Sequence, residues 1–202
     1  MKKLLLTAAG FLNPKISEAF LGLVGKPPGK IKLVFIPTAS RTKRELRYVA
    51  RSKKELLDLG VNEQNIKTLS LDSEVSYGEV AGFDVMYVCG GNTFYLLHRI
   101  RETGFDDIIR KFVEAGKVYV GVSAGSILLG PSIGSADTAD KNDIGIKDAT
   151  GLGLVDFVVF PHYCKKERQT FEKLKKKMPY QIIALTDNQA LEILENKTEL
   201  IE

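Results

Sequence analysis

Residues 121–125 read Gly-Val-Ser-Ala-Gly, and the run before them, Lys117 to Val122, is apolar and rich in β-branched residues. A serine flanked at that spacing by glycines fits a strand that turns sharply into a helix. In such a corner, side chains two positions before and after the serine would collide. The turn also holds the hydroxyl clear of the backbone, beside the free amides of a helix N-terminus. The chemistry it suits is attack by the Ser123 hydroxyl on an acyl carbon. A corner of small residues that only packs a strand against a helix would show the same pattern.

A serine nucleophile needs a base, and the chain has two histidines. His98 lies in TFYLLHRIR, inside an expected helix, and reads as a residue of the helix surface. His162 follows the apolar run VDFVVF and Pro161, which sets it in a loop past a strand end, where a base could meet Ser123. An orienting acid is supplied either by Asp187, after the strand QIIALT, or by one of the aspartates between serine and histidine: Asp137, Asp140, Asp143, Asp148 and Asp156. A strand end places a carboxylate more firmly than a loop does, which favours Asp187. An ordinary Asp187-Asn188 turn is the plain alternative. Two backbone donors are needed for an oxyanion. Ala124 follows the nucleophile, and Gly90-Gly91-Asn92 closes the preceding strand and opens a helix. A tight turn or a phosphate-binding corner would use the same glycines.

The elements that must carry these residues alternate. Strands are expected at 3–8, 32–36, 66–71, 83–89, 117–122, 155–160 and 181–185, with a C-terminal hairpin of 191–194 and 199–201. Helices are expected at 14–24, 43–59, 93–101, 105–115 and 166–178. In the second helix Leu46, Val49, Ala50, Leu56 and Leu57 mark the inward face. Strands apolar on both faces, alternating with helices, indicate an α/β fold: a mostly parallel central sheet covered on each side. Chemistry in such sheets gathers at the carboxyl ends of the strands. The polar, glycine-rich stretch 130–153 is long for a plain connection and is expected to serve the site, screening it from large proteins.

The chain has 202 residues, 44% of them hydrophobic, enough for one α/β domain over 1–202. Its net charge of +4 owes much to Lys165, Lys166, Lys173, Lys175, Lys176 and Lys177. Such a spaced run reads as the wet face of a helix, so no nucleic-acid partner is expected. The two cysteines, Cys89 and Cys164, exclude a disulfide framework and show no metal-ligand spacing. Both are expected to be small buried or half-buried residues. No apolar run approaches membrane-spanning length, and MKKLLLTAAG reads as a first strand, so a cytoplasmic location is expected.

Taken together, VCGGNTFYLLHRIRETG, GVSAGSILLGPSIG and FVVFPHY, in that order and running weakly on to IIALTDNQALEI, resemble the peptidase E family of serine peptidases. The likeness covers most of the chain and is strongest from 83 to 163. It implies a class I glutamine amidotransferase-like fold and a Ser-His-acid triad, with Ser123 as nucleophile and His162 as base. The family includes aspartyl dipeptidase, and Leu185-Thr186-Asp187-Asn188 stands where that dipeptidase has a glutamate followed by glycine, while Asp137 matches a rival acid position. The resemblance further implies Gly91 and Ala124 as oxyanion donors, a short peptide substrate such as an Asp-X dipeptide, and Arg168 and Asn92 as substrate-binding residues. No metal or organic cofactor is implied. Two other readings share the motif: an esterase of the α/β-hydrolase type, and a binding module on the same fold that does no chemistry.

Overall fold

Short strands of three to five residues, most of them apolar, pair edge to edge in this computed structural model, which describes residues 1–202. The strands are β1 (Lys3–Thr7), β2 (Leu33–Ile36), β3 (Ile66–Thr68), β4 (Val85–Val88), β5 (Val118–Val122), β6 (Phe157–Phe160), β7 (Gln181–Ala184), β8 (Ala190–Leu194) and β9 (Lys197–Ile201). Seven form one sheet in the order β3-β2-β4-β5-β1-β8-β9. The first five of that order are mutually parallel, and β8 and β9 close the edge as an antiparallel hairpin. The central strands are buried on both faces, which is why they read as continuous apolar runs.

Helices cover both sides. On one face, α1 (Pro14–Val24) and α2 (Lys43–Asp58) pack Ile16, Phe20, Leu23 and Leu56 over Leu5, Phe35, Tyr87 and Val120. On the other, α3 (Thr93–Glu102), α4 (Phe105–Glu114) and the short α5 (Ala124–Ile127) pack over Leu4, Leu6, Val34, Met86 and Tyr119. Each large aliphatic or aromatic side chain so buried contributes roughly 1.5–3 kcal/mol. The helix starts follow from local chemistry. Asn13 caps α1 ahead of Pro14, and Thr42 and Glu45 form a reciprocal capping box on α2.

Three expectations need correction. Strand β6 leaves the central sheet and pairs in parallel with β7 alone, in a second two-stranded sheet. Its Phe157 and Val159 still pack on the α3–α5 side, so burial is kept although the pairing partner changes. The inward face of α2 is also rotated from the expected one. Ser52 and Leu56 are buried and Val49 packs half-buried against the core, whereas Leu46 is 50% exposed and Ala50 is exposed, so the inward face runs through Val49, Ser52 and Leu56. The last helix, α6 (Arg168–Lys177), starts later than expected, after a 3-10 turn at Lys165–Glu167. Its lysines are exposed, as a wet helix face requires. The stretch 130–153 holds a 3-10 turn at Gly134–Thr138 and an isolated bridge between Ser132 and Thr150. No helix is long and apolar enough to cross a membrane.

Candidate active site

Ser123 occupies the corner between β5 and α5 with φ 50° and ψ −106°, a conformation that a residue with a Cβ rarely adopts. The flanking glycines are there for space. A Cβ on Gly121 would sit 2.6 Å from the Gly125 carbonyl oxygen, and one on Gly125 would sit 2.4 Å from the Val88 carbonyl oxygen. Hydrogen bonds pin the strained turn. The Ser123 amide donates to the Thr7 carbonyl at 2.9 Å. The buried Ser126 hydroxyl lies 2.8 Å from both the Thr7 and Gly121 carbonyl oxygens. Tyr119, wholly buried, donates its hydroxyl to the Gly125 carbonyl at 2.8 Å. Burial pushes the Tyr119 phenol far up from its ordinary pKa, which keeps it a proton donor.

His162 reaches the serine from the second sheet. Phe160 stands beside Ala184 in the β6–β7 register, and the ladder continues as Leu185 N–H to Phe160 and Tyr163 N–H to Leu185, both at 2.9 Å. Two parallel strands in register thus deliver their following loops side by side, one carrying His162 and the other Asp187. His162 Nε2 lies 2.9 Å from Ser123 Oγ, and His162 Nδ1 lies 2.6 Å from Asp187 Oδ1. The imidazole and carboxylate are about half exposed, at 51% and 55%. His162 itself has a positive φ of 59°. With its proton on Nδ1, toward the carboxylate, the ring leaves Nε2 free to accept from the serine hydroxyl.

The glycine corner after β4 faces the serine. A Cβ on Gly90 would fall 3.1 Å from Ser123 Cβ. Gly91 has φ 140°, and a Cβ there would lie 2.2 Å from the Ala39 carbonyl oxygen, so only glycine fits. The Gly91 N–H makes no hydrogen bond within the chain, and Ala124 opens α5, where no helical acceptor lies four residues back. Ala124 follows Ser123 in sequence, and Gly91 lines the same cleft as Ser123.

A cleft of about 710 Å³ opens over these groups. That is within the range of about 300–1,000 Å³ usual for small-ligand sites. Ser123, His162, Asp187 and Gly91 line it. Part of one wall comes from 135–140, as the long glycine-rich stretch promised. Asp140 there accepts from Thr93 N–H at 2.8 Å, tying the wall to the start of α3.

Other expected residues fall elsewhere. Asp137 is exposed and does not line the cleft. Arg168 is exposed at the first position of α6 and also stays outside, because the 3-10 turn before the helix sets its phase. Asn92 is buried, and its carboxamide is spent on structure. It caps α3 by accepting from Tyr95 N–H at 2.9 Å and donates to the Lys141 carbonyl at 2.8 Å. His98 sits on α3 beside Glu102, at 3.5 Å. Cys89 is buried, and burial pushes its thiol well up, while Cys164 is exposed rather than buried or half-buried; both nonetheless line the cleft. No group of three or more His, Cys, Asp or Glu side chains is arranged to hold a metal ion. Absent from the sequence reading were Arg44, Tyr48 and Arg51 of α2, which line the cleft. Their 4- and 3-residue spacing on one helix face was the available signal.

The profile of Peptidase family S51 matches residues 4–201. The chain belongs to this family. An S51 relative from Pasteurella multocida, an uncharacterized peptidase, is 33% identical over all of this chain and 97% of its own length. A protein called Peptidase E from Shewanella amazonensis is 37% identical over 64% of this chain and 53% of its own, so this chain spans about half of that relative. A crystal structure of a candidate peptidase E from Listeria monocytogenes covers 100% of the S51 chain and 98% of its own, with a TM-score of 0.81 and 31% identity. The S51 chain is therefore a serine-type peptidase of the peptidase E kind, and its substrate is a peptide.

Proposed function

We propose that Ser123, His162 and Asp187 are a catalytic triad that hydrolyses short peptides through an acyl-enzyme, with the amides of Gly91 and Ala124 as the oxyanion hole. The observation that carries this reading is the unbroken chain of contacts, 2.9 Å from Ser123 Oγ to His162 Nε2 and 2.6 Å from His162 Nδ1 to Asp187 Oδ1. His162 Nε2 takes the hydroxyl proton as Oγ bonds to the peptide carbonyl carbon. The negative oxygen then rests on the two amides. His162 gives its proton to the departing nitrogen as the C–N bond breaks. Water next attacks the ester, losing its proton to His162, and Ser123 is restored with the proton His162 returns.

Size supports a short substrate. The cleft suits a few residues, and the 135–140 wall narrows access. Asp-X dipeptides are the first substrates to try. A panel of Asp-X, Ala-X, Glu-X and N-acylated dipeptides, read with wild type and Ser123→Ala beside fluorophosphonate labelling, tests the proposal. Cleavage and labelling should both vanish in Ser123→Ala. A wild-type protein that resists the fluorophosphonate, or a Ser123→Ala variant that still cleaves, would overturn it.

A further inference from the structure

Strands β2 and β4 lie side by side in parallel, with Ile36 beside Val88. Their ladder runs on past both strand ends, as Cys89 N–H donates to the Ile36 carbonyl at 2.9 Å and Asn92 N–H to the Ala39 carbonyl at 2.8 Å. The segment after β2, residues 37–40, is thereby laid against Gly90-Gly91. Its own turn is closed by Ser40 N–H, which donates to the Pro37 carbonyl at 2.8 Å. From that turn the half-buried Ser40 donates its hydroxyl to the Gly90 carbonyl at 2.7 Å, and no other group of the chain does so.

The Gly90 carbonyl and the Gly91 N–H are the two ends of one planar trans peptide unit, so they point in opposite directions. Holding the oxygen toward Ser40 holds the N–H away from it, and this N–H is the first of the two oxyanion donors. The second is held in the same manner. Ala124 N–H shares its peptide unit with the Ser123 carbonyl, which accepts from the amides of Ser126 and Ile127 at 2.9 and 3.0 Å. There the backbone of α5 fixes the unit from behind. At Gly91 a single side chain does so.

The two glycines make that side chain necessary. Crowding against Ser123 and Ala39 keeps a Cβ from both positions, so no Cβ restrains the torsions on either side of their shared peptide. Rotation of the unit would bring its carbonyl oxygen to where the N–H now points. An acceptor there would repel the oxygen that becomes negative in the transition state. The Ser40 hydrogen bond exists in only one of these two orientations, the productive one.

We propose that Ser40 is a positioning residue of the reaction, whose hydroxyl locks the Gly90–Gly91 peptide so that the Gly91 N–H is offered to the oxyanion. By bonding to the other end of the same peptide it also polarises that donor. Ser40 acts through the peptide and needs no contact with substrate. Its role rests on the serine-peptidase reading of Ser123, and fluorophosphonate inactivation tests the two separately. The saturation constant reports binding of the intact reagent, and the limiting rate reports the step in which the phosphoryl oxygen gains charge. In Ser40→Ala the limiting rate should fall about tenfold, part of the 10²–10³ that a whole oxyanion donor supplies, while the saturation constant stays within about threefold. Ser40→Thr keeps a hydroxyl and should recover most of the rate. Water can reach the Gly90 carbonyl in Ser40→Ala, so Tm should fall by no more than about 2–4 °C. A Ser40→Ala rate within about threefold of wild type, a loss seen in the saturation constant instead of the rate, or a Ser40→Thr protein as slow as Ser40→Ala would overturn the proposal. A wild type that the reagent fails to label at Ser123 would overturn the peptidase reading itself, and the role of Ser40 with it.

Discussion

Replacing Asp187 with asparagine separates catalysis from stability more cleanly than any other single change. The carboxylate meets His162 Nδ1 at 2.6 Å, but both side chains are about half exposed. An exposed ion pair contributes about 0–1 kcal/mol, so Asp187→Asn should lower Tm by no more than about 2–4 °C in a chain of this size. The catalytic loss has another origin. An asparagine can turn its NH2 toward Nδ1, which moves the ring proton to Nε2 and removes the base. In a buried triad that change costs about 10⁴ in kcat. Here water reaches the ring and helps the proton return, so a loss of about 10²–10³ is expected, equal to about 2.7–4.1 kcal/mol of activation free energy. The rate of Ser123 inactivation by a fluorophosphonate measures this without a known substrate. Asp137 is exposed and outside the cleft, so Asp137→Asn should stay within about threefold of wild type. The reasoning is refuted if Asp187→Asn also stays within about threefold, or if Asp137→Asn is the slower variant.

Gly91→Ala should damage both stability and rate, since its Cβ would meet the Ala39 carbonyl oxygen at 2.2 Å and its carbon at 2.3 Å, neither of which can swing away. A loss of about 3 kcal/mol in stability and about 10²–10³ in kcat is expected, and a variant with wild-type Tm and inactivation rate would contradict the assigned corner. Asp84 predicts a pH effect far from the site. Burial pushes its pKa up, but hydrogen bonds from Lys26 and the Lys32 amide, with the charges of Lys26 and Lys117, outweigh this and leave it below the ordinary value. A depressed folded pKa gives stability that is present above the unfolded value of about 3.9 and is lost as pH falls through the folded one. Asp84→Asn should therefore lower Tm at pH 7, with the gap to wild type closing below about pH 4. A gap that stays constant from pH 7 to 3 would argue against this linkage.

The elbow was legible in the sequence because its constraints are local. Gly121 and Gly125 are dictated by carbonyl oxygens within van der Waals reach, and the apolar run of β5 says where the turn begins. The central strands and most helices were legible for the same reason. Strand β6 was not. Phe157 and Val159 announce burial, but whether the strand pairs with the central sheet or with β7 depends on residues that arrive later in the chain. Asp187 was placed correctly at a strand end, yet its nearness to His162 comes from the β6–β7 register, which no single segment encodes. Arg168 is exposed and outside the cleft at the first position of α6, which starts two residues later than expected, after a 3-10 turn.

Helix α2 shows most plainly why a site can hide in a sequence whose fold is easy to read. Its apolar positions suggest a face through Leu46 and Ala50, and the charged residues between them then look like solvent-facing filler. That inference assumes the whole helix rests on the core. The face that does so runs through half-buried Val49 and buried Ser52 and Leu56. In its N-terminal half Arg44, Glu45 and Tyr48 line the cleft instead. Polar residues at inward positions are therefore no fault of packing. Along one helix the same rotational phase places Leu56 in the core and Tyr48 and Ser52 over the cleft, so the break between them marks where the helix passes from the core to the wall of the cleft.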